Sequence, residues 1–275
     1  MKEINSELAK KFPKEERTKK CIDLMIPEVR ELLELPLHRK IRKSQEIIKE
    51  ALDKYHPKIG LGFSGGTDSL VLLHLALPII PKNLPIIFVN TYQQFTETYK
   101  FINETIGRWG LTNFHEVKAQ ENKFESIKKK FGFKTPEFIE VCCGYHKIAP
   151  LIKAIEDLEL NAFITGIRGV EHEERAKEKI FSPRENHFRI HPLLFWKQED
   201  TLNYVEDFGI EPNPLYAQGY TSLGCTPCTE RNIDPNAHER AGRGIVRETI
   251  MERLRESYLI AVAVDISLSG LVKYK

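Results

Sequence analysis

Cysteine is scarce in this 275-residue chain and unevenly placed. The five cysteines are an odd set, four of them in two tight pairs at 142–143 and 225–228, which excludes the dense bridge framework of a small secreted scaffold. No apolar run approaches the ~18 residues that cross a bilayer. The N-terminal stretch MKEINSELAKKFPKEERTKK has no apolar segment of the kind a secretory signal carries. Excess charge of one sign is missing too: 41 Lys and Arg face 39 Asp and Glu, a net charge of +2. That balance argues against a nucleic-acid coat or a polybasic membrane binder. Internal repeats and low-complexity tracts are absent as well. What is present, 41% hydrophobic and 29% charged residues, is the composition of a soluble globular protein. The expectation is a cytoplasmic enzyme with no membrane partner, built as one large domain or one domain with an appendage.

Residues 1–57 form a zone of their own, with 14 Lys and Arg, 11 Asp and Glu and no glycine. Apolar spacing over 26–35 and 41–52 predicts a helical extension of two or three helices, with Pro27, Pro36 and Pro57 as breaks or first-turn positions. Cys21 stands alone there, and a lone cysteine in an amphipathic stretch reads as packing. From Lys58 the pattern changes. Strands are predicted over 58–63, 84–90, 113–117, 161–165 and 188–191, alternating with helices over 69–77, 96–109, 121–130, 146–158 and 199–208. This alternation predicts an α/β fold over 58–243, a doubly wound, mostly parallel sheet of five or six strands with helices on both faces. Ligands in such sheets sit at the carboxyl ends of the strands. The charged run 171–179 reads as a solvated surface loop in preference to a lid, and 244–275 as a C-terminal tail.

Gly62-Phe63-Ser64-Gly65-Gly66-Thr67-Asp68-Ser69 follows the first strand and opens a helix. Its glycines allow a tight turn that aims N–H groups at an anion, and the helix N-terminus adds its dipole. Ser64, Thr67 and Ser69 add hydroxyls, and Asp68 would suit Mg²⁺ if the ligand is ATP. No Gly-Lys-Ser/Thr follows, so this is not a Walker loop.

Cys142, Cys143, Cys225 and Cys228 supply four thiolates from two places in the chain. Zinc and an iron–sulfur cluster are the centres that favour such a set. Adjacent cysteines are awkward for one tetrahedral zinc, whereas a cubane offers each sulfur a different iron.

These motifs resemble a known family. SGGTDS is similar to the pyrophosphate loop of the N-type ATP pyrophosphatase superfamily. CCGYHKIAPL (142–151), the segment 214–229 ending in GCTPCT, and HERAGR (238–243) resemble the corresponding segments of assimilatory adenylyl-sulfate (APS/PAPS) reductases. Asn90-Thr91, the ETY at 97–99 and the TGIR at 165–168 match further family elements, so the resemblance spans about 55–243. It implies an adenine nucleotide α-hydrolase-like fold and a [4Fe–4S] cluster on the four paired cysteines. It also implies reduction of APS to AMP and sulfite with thioredoxin or another thiol donor. Lys147, Arg240 and Arg243 would neutralise the sulfate end, and Ser64–Ser69 the phosphosulfate. Phe63, Asn90 and Thr91 would hold the nucleoside, with Gly166 and Arg168 beside the same crevice.

Two features depart from the family. Its tail nucleophile, a cysteine in an ECGLH segment, has no counterpart: no cysteine follows Cys228, and Leu254 stands about where it belongs. Cys21 is the only spare thiol. The phosphate loop, moreover, has the full form of ATP-hydrolysing relatives, and His146 replaces a basic residue of the reductase segment. The primary expectation is an APS reductase-like [4Fe–4S] protein served by an external thiol. The alternative is an ATP-dependent [4Fe–4S] sulfurtransferase acting on RNA or another acceptor, the only reading that brings in nucleic acid. Oligomeric state is left open.

Overall fold

A computed structural model describes residues 13–243 together with Ile250. Six short strands form one sheet: β1 (Ile59–Gly62), β2 (Ile86–Val89), β3 (Phe114–Val117), β4 (Ala162–Ile164), β5 (Phe181–Pro183) and β6 (Phe188–Ile190). Their order is β3-β2-β1-β4-β6-β5, parallel except for β5, which runs antiparallel to β6 at the edge. The doubly wound sheet and its strand positions agree with expectation. β5 was not foreseen, because three residues ending in proline show no alternation, and proline is tolerated at a sheet edge.

The chain builds outward from β1 through β2 to β3, then returns to the other side of β1 with β4. The reversal opens a crevice between the carboxyl ends of β1 and β4. Ile59, Leu61, Ile86 and Ile164 are fully buried in the core beneath it. The helix after β1, Thr67–Ala76, is apolar on nearly every side, so it is sunk in the core and its N-terminus is firmly placed.

The N-terminal zone is helical, at Lys14–Leu24, Pro27–Leu32 and Leu37–Tyr55, but it is not an appendage. Cys21, Met25, Val29, Leu33, Ile47, Ile48 and Ala51 belong to the same core as β1 and β2. Lys40, 2% exposed, reaches Asp200 at 2.6 Å, and Ser44 joins the Pro192 carbonyl and the Trp196 indole at 2.7 and 2.9 Å. The predicted boundary at 57 is a change of pattern inside one packing unit.

The charged run 171–179 is likewise no solvated loop. Glu171, His172, Arg175 and Ala176 are buried, in a short turn and the helix Glu173–Ala176 against which Lys14–Leu24 packs. Its charges pair partly within the run, Arg175 with Glu171 and Lys177 with Glu174, and partly with Lys20, Arg184 and Arg240 from other segments. The expected tail, 244–275 with Leu254, lies outside the described residues apart from Ile250.

Candidate active site

The phosphate loop is held in shape by its own side chains and by a distant one. Gly65 has φ +77, a conformation that suits glycine. The Ser64 N–H donates to Ser69 Oγ at 3.2 Å, and that hydroxyl donates to the Gly66 carbonyl at 2.9 Å. The Thr67 N–H, at the head of the helix, donates to the Tyr216 hydroxyl at 3.0 Å. Burial, with Asp68 and Glu239 nearby, pushes that phenol up to about 12. At the facing strand end, a Cβ on Gly166 would lie 2.9 Å from the Asp68 carbonyl oxygen, so the two turns touch backbone to backbone.

The first cysteine pair ends the helix Pro136–Cys143, which Thr135 caps by accepting the Phe138 N–H at 3.1 Å. This helix is not among those the sequence pattern predicts, where the next helix starts at 146. The rod continues through a wider π turn, Gly144–Ile148, into the helix Ala149–Asp157. Pro150 accounts for the widening, since it has no N–H for the carbonyl one turn back and its ring crowds that oxygen. The turn carries His146 and Lys147. The second pair lies on a loop sewn to the end of β2: Thr226 N–H donates to the Gln93 carbonyl at 2.7 Å, and Gln94 bridges to Cys225.

Two cavities result. The larger, about 280 Å³, is the crevice, lined by Phe63, Ser64, Gly66, Thr67, Asp68, Ser69, Thr91, Lys147, Gly166, Arg240 and Arg243 among the expected residues. The smaller is lined by Cys142, Cys143, Cys225 and Cys228, with Phe124, Phe138 and Ile139 as an apolar wall. Thr91, Lys147 and Cys225 line both. Thr91 Oγ1 stands 3.1 Å from Cys225 Sγ.

Three expected residues are not in the crevice wall. Gly65 points the other way, toward Thr98 and Ile102. Asn90 is spent on the end of β2, donating to Glu116 at 2.8 Å and accepting from Tyr92 N–H and the Tyr99 hydroxyl at 2.7 and 2.6 Å. Arg168 is buried beneath the crevice floor, its guanidinium on Asp68 and Glu239. Cys21 is 1% exposed, in the core, and burial pushes its thiol up to about 12. It is not a spare nucleophile.

The carboxylates that balance the arginines carry no motif that marks them in the sequence. Glu171 accepts from Arg175 at 2.5 Å, Arg240 at 2.9 Å and the Arg168 N–H at 3.0 Å. Burial alone would raise the Glu171 carboxyl, but the three arginines outweigh it and hold it far below the usual range. Asp68 moves the other way: burial, with Glu171 and Glu239 adding to it, lifts it to about 6 against the pull of Arg168. With its carboxylate committed to Arg168, Asp68 is ill placed to take the Mg²⁺ that an ATP ligand would bring. Arg243 donates to the Leu223 carbonyl and lies over Gly224, where any Cβ would stand 2.1 Å from Nη2.

A model of the phosphoadenosine phosphosulfate reductase domain matches residues 58–231. The chain belongs to the phosphoadenosine phosphosulfate reductase family. An adenosine 5′-phosphosulfate reductase of Mesorhizobium japonicum is 33% identical over 202 residues, covering 73% of this chain and 78% of the relative. A phosphoadenosine 5′-phosphosulfate reductase of Vibrio campbellii is 30% identical over 208 residues, 74% and 80% of the two chains. Among solved structures, a phosphoadenylyl-sulfate reductase from Candida auris in complex with phosphate superposes with a TM-score of 0.52 at 23% identity, covering 67% of this chain and 88% of that one. A Candida glabrata FMN adenylyltransferase bound to FAD and inorganic pyrophosphate gives 0.51 at 20% identity, covering 91% and 86%. At these identities the structural likeness speaks for the α/β fold alone. The family match begins at residue 58, so the N-terminal helices lie outside it although they share its core.

The four paired cysteines fit a sulfur-ligated cluster in chemical kind. Among the described residues no three His, Cys, Asp or Glu side chains are gathered where they could hold a metal ion. The cysteines stand around a small cavity of about 20 Å³ with a largely apolar wall. No described helix is long and apolar enough to cross a membrane.

Proposed function

We propose that this chain reduces an adenine sulfonucleotide, APS, to AMP and sulfite. In this reading a [4Fe–4S] cluster sits on Cys142, Cys143, Cys225 and Cys228, and the thiols come from another molecule. The observation that carries it is the wall of Thr91, Lys147 and Cys225 shared by the crevice and the cysteine cavity. A phosphate loop and three cations lining one crevice suit a ligand with a phosphosulfate. Both relatives described above bear the name of a sulfonucleotide reductase.

The loop Ser64–Ser69 would bind the phosphate, and Arg240 and Arg243 the sulfate oxygens, in forked geometry. Lys147 would offset the charge that builds on those oxygens. A thiolate from outside attacks the sulfate sulfur, forming an S–S bond as the S–O bond to AMP breaks and AMP leaves with that electron pair. A second thiolate then attacks the thiol sulfur of the S-sulfo adduct, releasing sulfite and leaving a disulfide. Two thiols are oxidised and one sulfur is reduced by two electrons. When bound, the cluster would supply a charged neighbour to Lys147 without passing electrons to the substrate. What supports an external thiol is that Cys21 is buried and that residues 229–275 hold no cysteine.

The test uses anaerobically purified protein of confirmed iron and sulfide content, incubated with APS and thioredoxin or glutathione. Sulfite, AMP and disulfide in equal amounts are expected, with at least a tenfold loss for Lys147→Ala (on the order of 1.4 kcal/mol). Iron-loaded protein that makes no sulfite but releases pyrophosphate from ATP would overturn this reading in favour of the sulfurtransferase.

A further inference from the structure

His146 is buried at 2% exposure in the π turn, and both its ring nitrogens are engaged. The backbone N–H of Lys123 donates to Nε2 at 3.1 Å. A nitrogen that accepts carries no proton, so the ring is neutral and its hydrogen is on Nδ1. That N–H faces the Cys142 carbonyl at 3.1 Å and Cys142 Sγ at 3.7 Å. Tyr92 and Tyr145 meet the ring edge-on at 6.2 and 4.9 Å and keep it from turning. Lys123 caps the helix Phe124–Phe131, whose first residue walls the cysteine cavity. One side chain therefore ties that wall to one of the four sulfurs.

We propose that His146 is a positioning residue for the cysteine site: its Nδ1–H donates to the Cys142 thiolate when that sulfur is a cluster ligand. The proposal rests on the [4Fe–4S] reading above. Ligation turns a weak acceptor, the thiol, into a thiolate, which draws the shared N–H from the carbonyl toward sulfur. A hydrogen bond to a ligand sulfur withdraws electron density and favours the reduced cluster, raising its potential. A neutral imidazole does this without adding a charge beside Lys147.

Two substitutions separate the functions of the two nitrogens. In His146→Asn the amide nitrogen stands where Nδ1 stood, keeping the donor to Cys142 and losing the reach to Lys123. In His146→Gln the side-chain oxygen reaches the Lys123 N–H, and the donor to sulfur is lost. After anaerobic reconstitution, iron and sulfide are counted and the cluster is titrated optically against redox mediators. The Asn variant is expected to keep the wild-type potential. The Gln variant is expected to shift lower and to lose iron several-fold faster to a chelator. An unshifted potential in the Gln variant at full iron content would overturn the role of His146 and leave the cluster reading intact. Wild-type protein that takes up no iron and sulfide would overturn the cluster reading, and this role with it. A readout that needs no variant is the magnetic coupling of the reduced cluster to ¹⁵N-labelled histidine. Coupling to Nδ1 is expected, and its absence from loaded protein also overturns the proposal.

Discussion

Arg168 and Asp68, a hundred residues apart, are joined as a fork: Nε donates to Oδ1 at 2.7 Å and Nη2 to Oδ2 at 3.2 Å. The same Nη2 reaches Glu239 at 2.6 Å, so one buried guanidinium links the phosphate loop to the HERAGR segment. Removing one member of a buried ionic set costs about 3–5 kcal/mol, because the partners stay buried without a counter-charge. Arg168→Ala is expected to fall in that range by urea unfolding. Arg168→Lys should recover only part of it, since an ammonium cannot make the fork. Full recovery by lysine would show that charge alone matters here.

Two glycines of the site should respond differently to the same added methyl group. At Gly224 it would meet the tip of Arg243, which can swing aside, whereas at Gly242 it would meet the Glu230 carbonyl oxygen at 2.2 Å. Gly224→Ala should leave the urea midpoint nearly unchanged and weaken binding of APS, in the absence of thiol, by about tenfold, on the order of 1.4 kcal/mol, as measured by calorimetry. Gly242→Ala should instead lower stability by about 2 kcal/mol, as forced backbone shifts do. Equal effects of both on folding would argue against a movable Arg243.

Cys21 should be inert. Its burial and a thiol pushed up to about 12 leave almost no thiolate at neutral pH. Mass spectrometry of native protein treated with iodoacetamide should find Cys21 unmodified. Cys21→Ala should cost about 1 kcal/mol of stability and leave sulfite formation from APS unchanged. Loss of sulfite formation in a folded Cys21→Ala protein would restore it as the nucleophile.

His238 links acid sensitivity to the same segment. Burial first, and then the charge of Arg17, push it down to about 4. Its Nδ1 accepts the Arg240 N–H at 3.3 Å, which the protonated ring cannot do. A histidine with a depressed folded pKa contributes stability in full above its unfolded value of about 6.5, and that contribution is lost as pH falls toward 4. The stability advantage of the wild type over His238→Gln should therefore shrink between pH 6.5 and 4. A constant difference across that range would contradict the buried neutral ring.

Local features of the sequence determined the parallel sheet, the phosphate turn and the cysteine pairs. Apolar runs, glycine and proline positions and short motif spacings act within a few residues of themselves. The helix Pro136–Cys143 is only eight residues long and runs straight into the π turn, too short for its apolar spacing to stand out from the cysteine pair that ends it. Tertiary structure alone decided which charges meet. Asp68 reads in the sequence as a candidate for magnesium and Arg168 as a candidate for the ligand, yet each is the other's counter-ion. Glu171 reads as part of a solvated loop and is the buried hub of three arginines. Residues 1–57 read as an extension because their composition differs, but composition does not report which core a helix enters, and Cys21 and Ile48 enter that of β1. Such outcomes depend on contacts between distant parts of the chain, where burial makes an unpaired charge costly and so selects its partner.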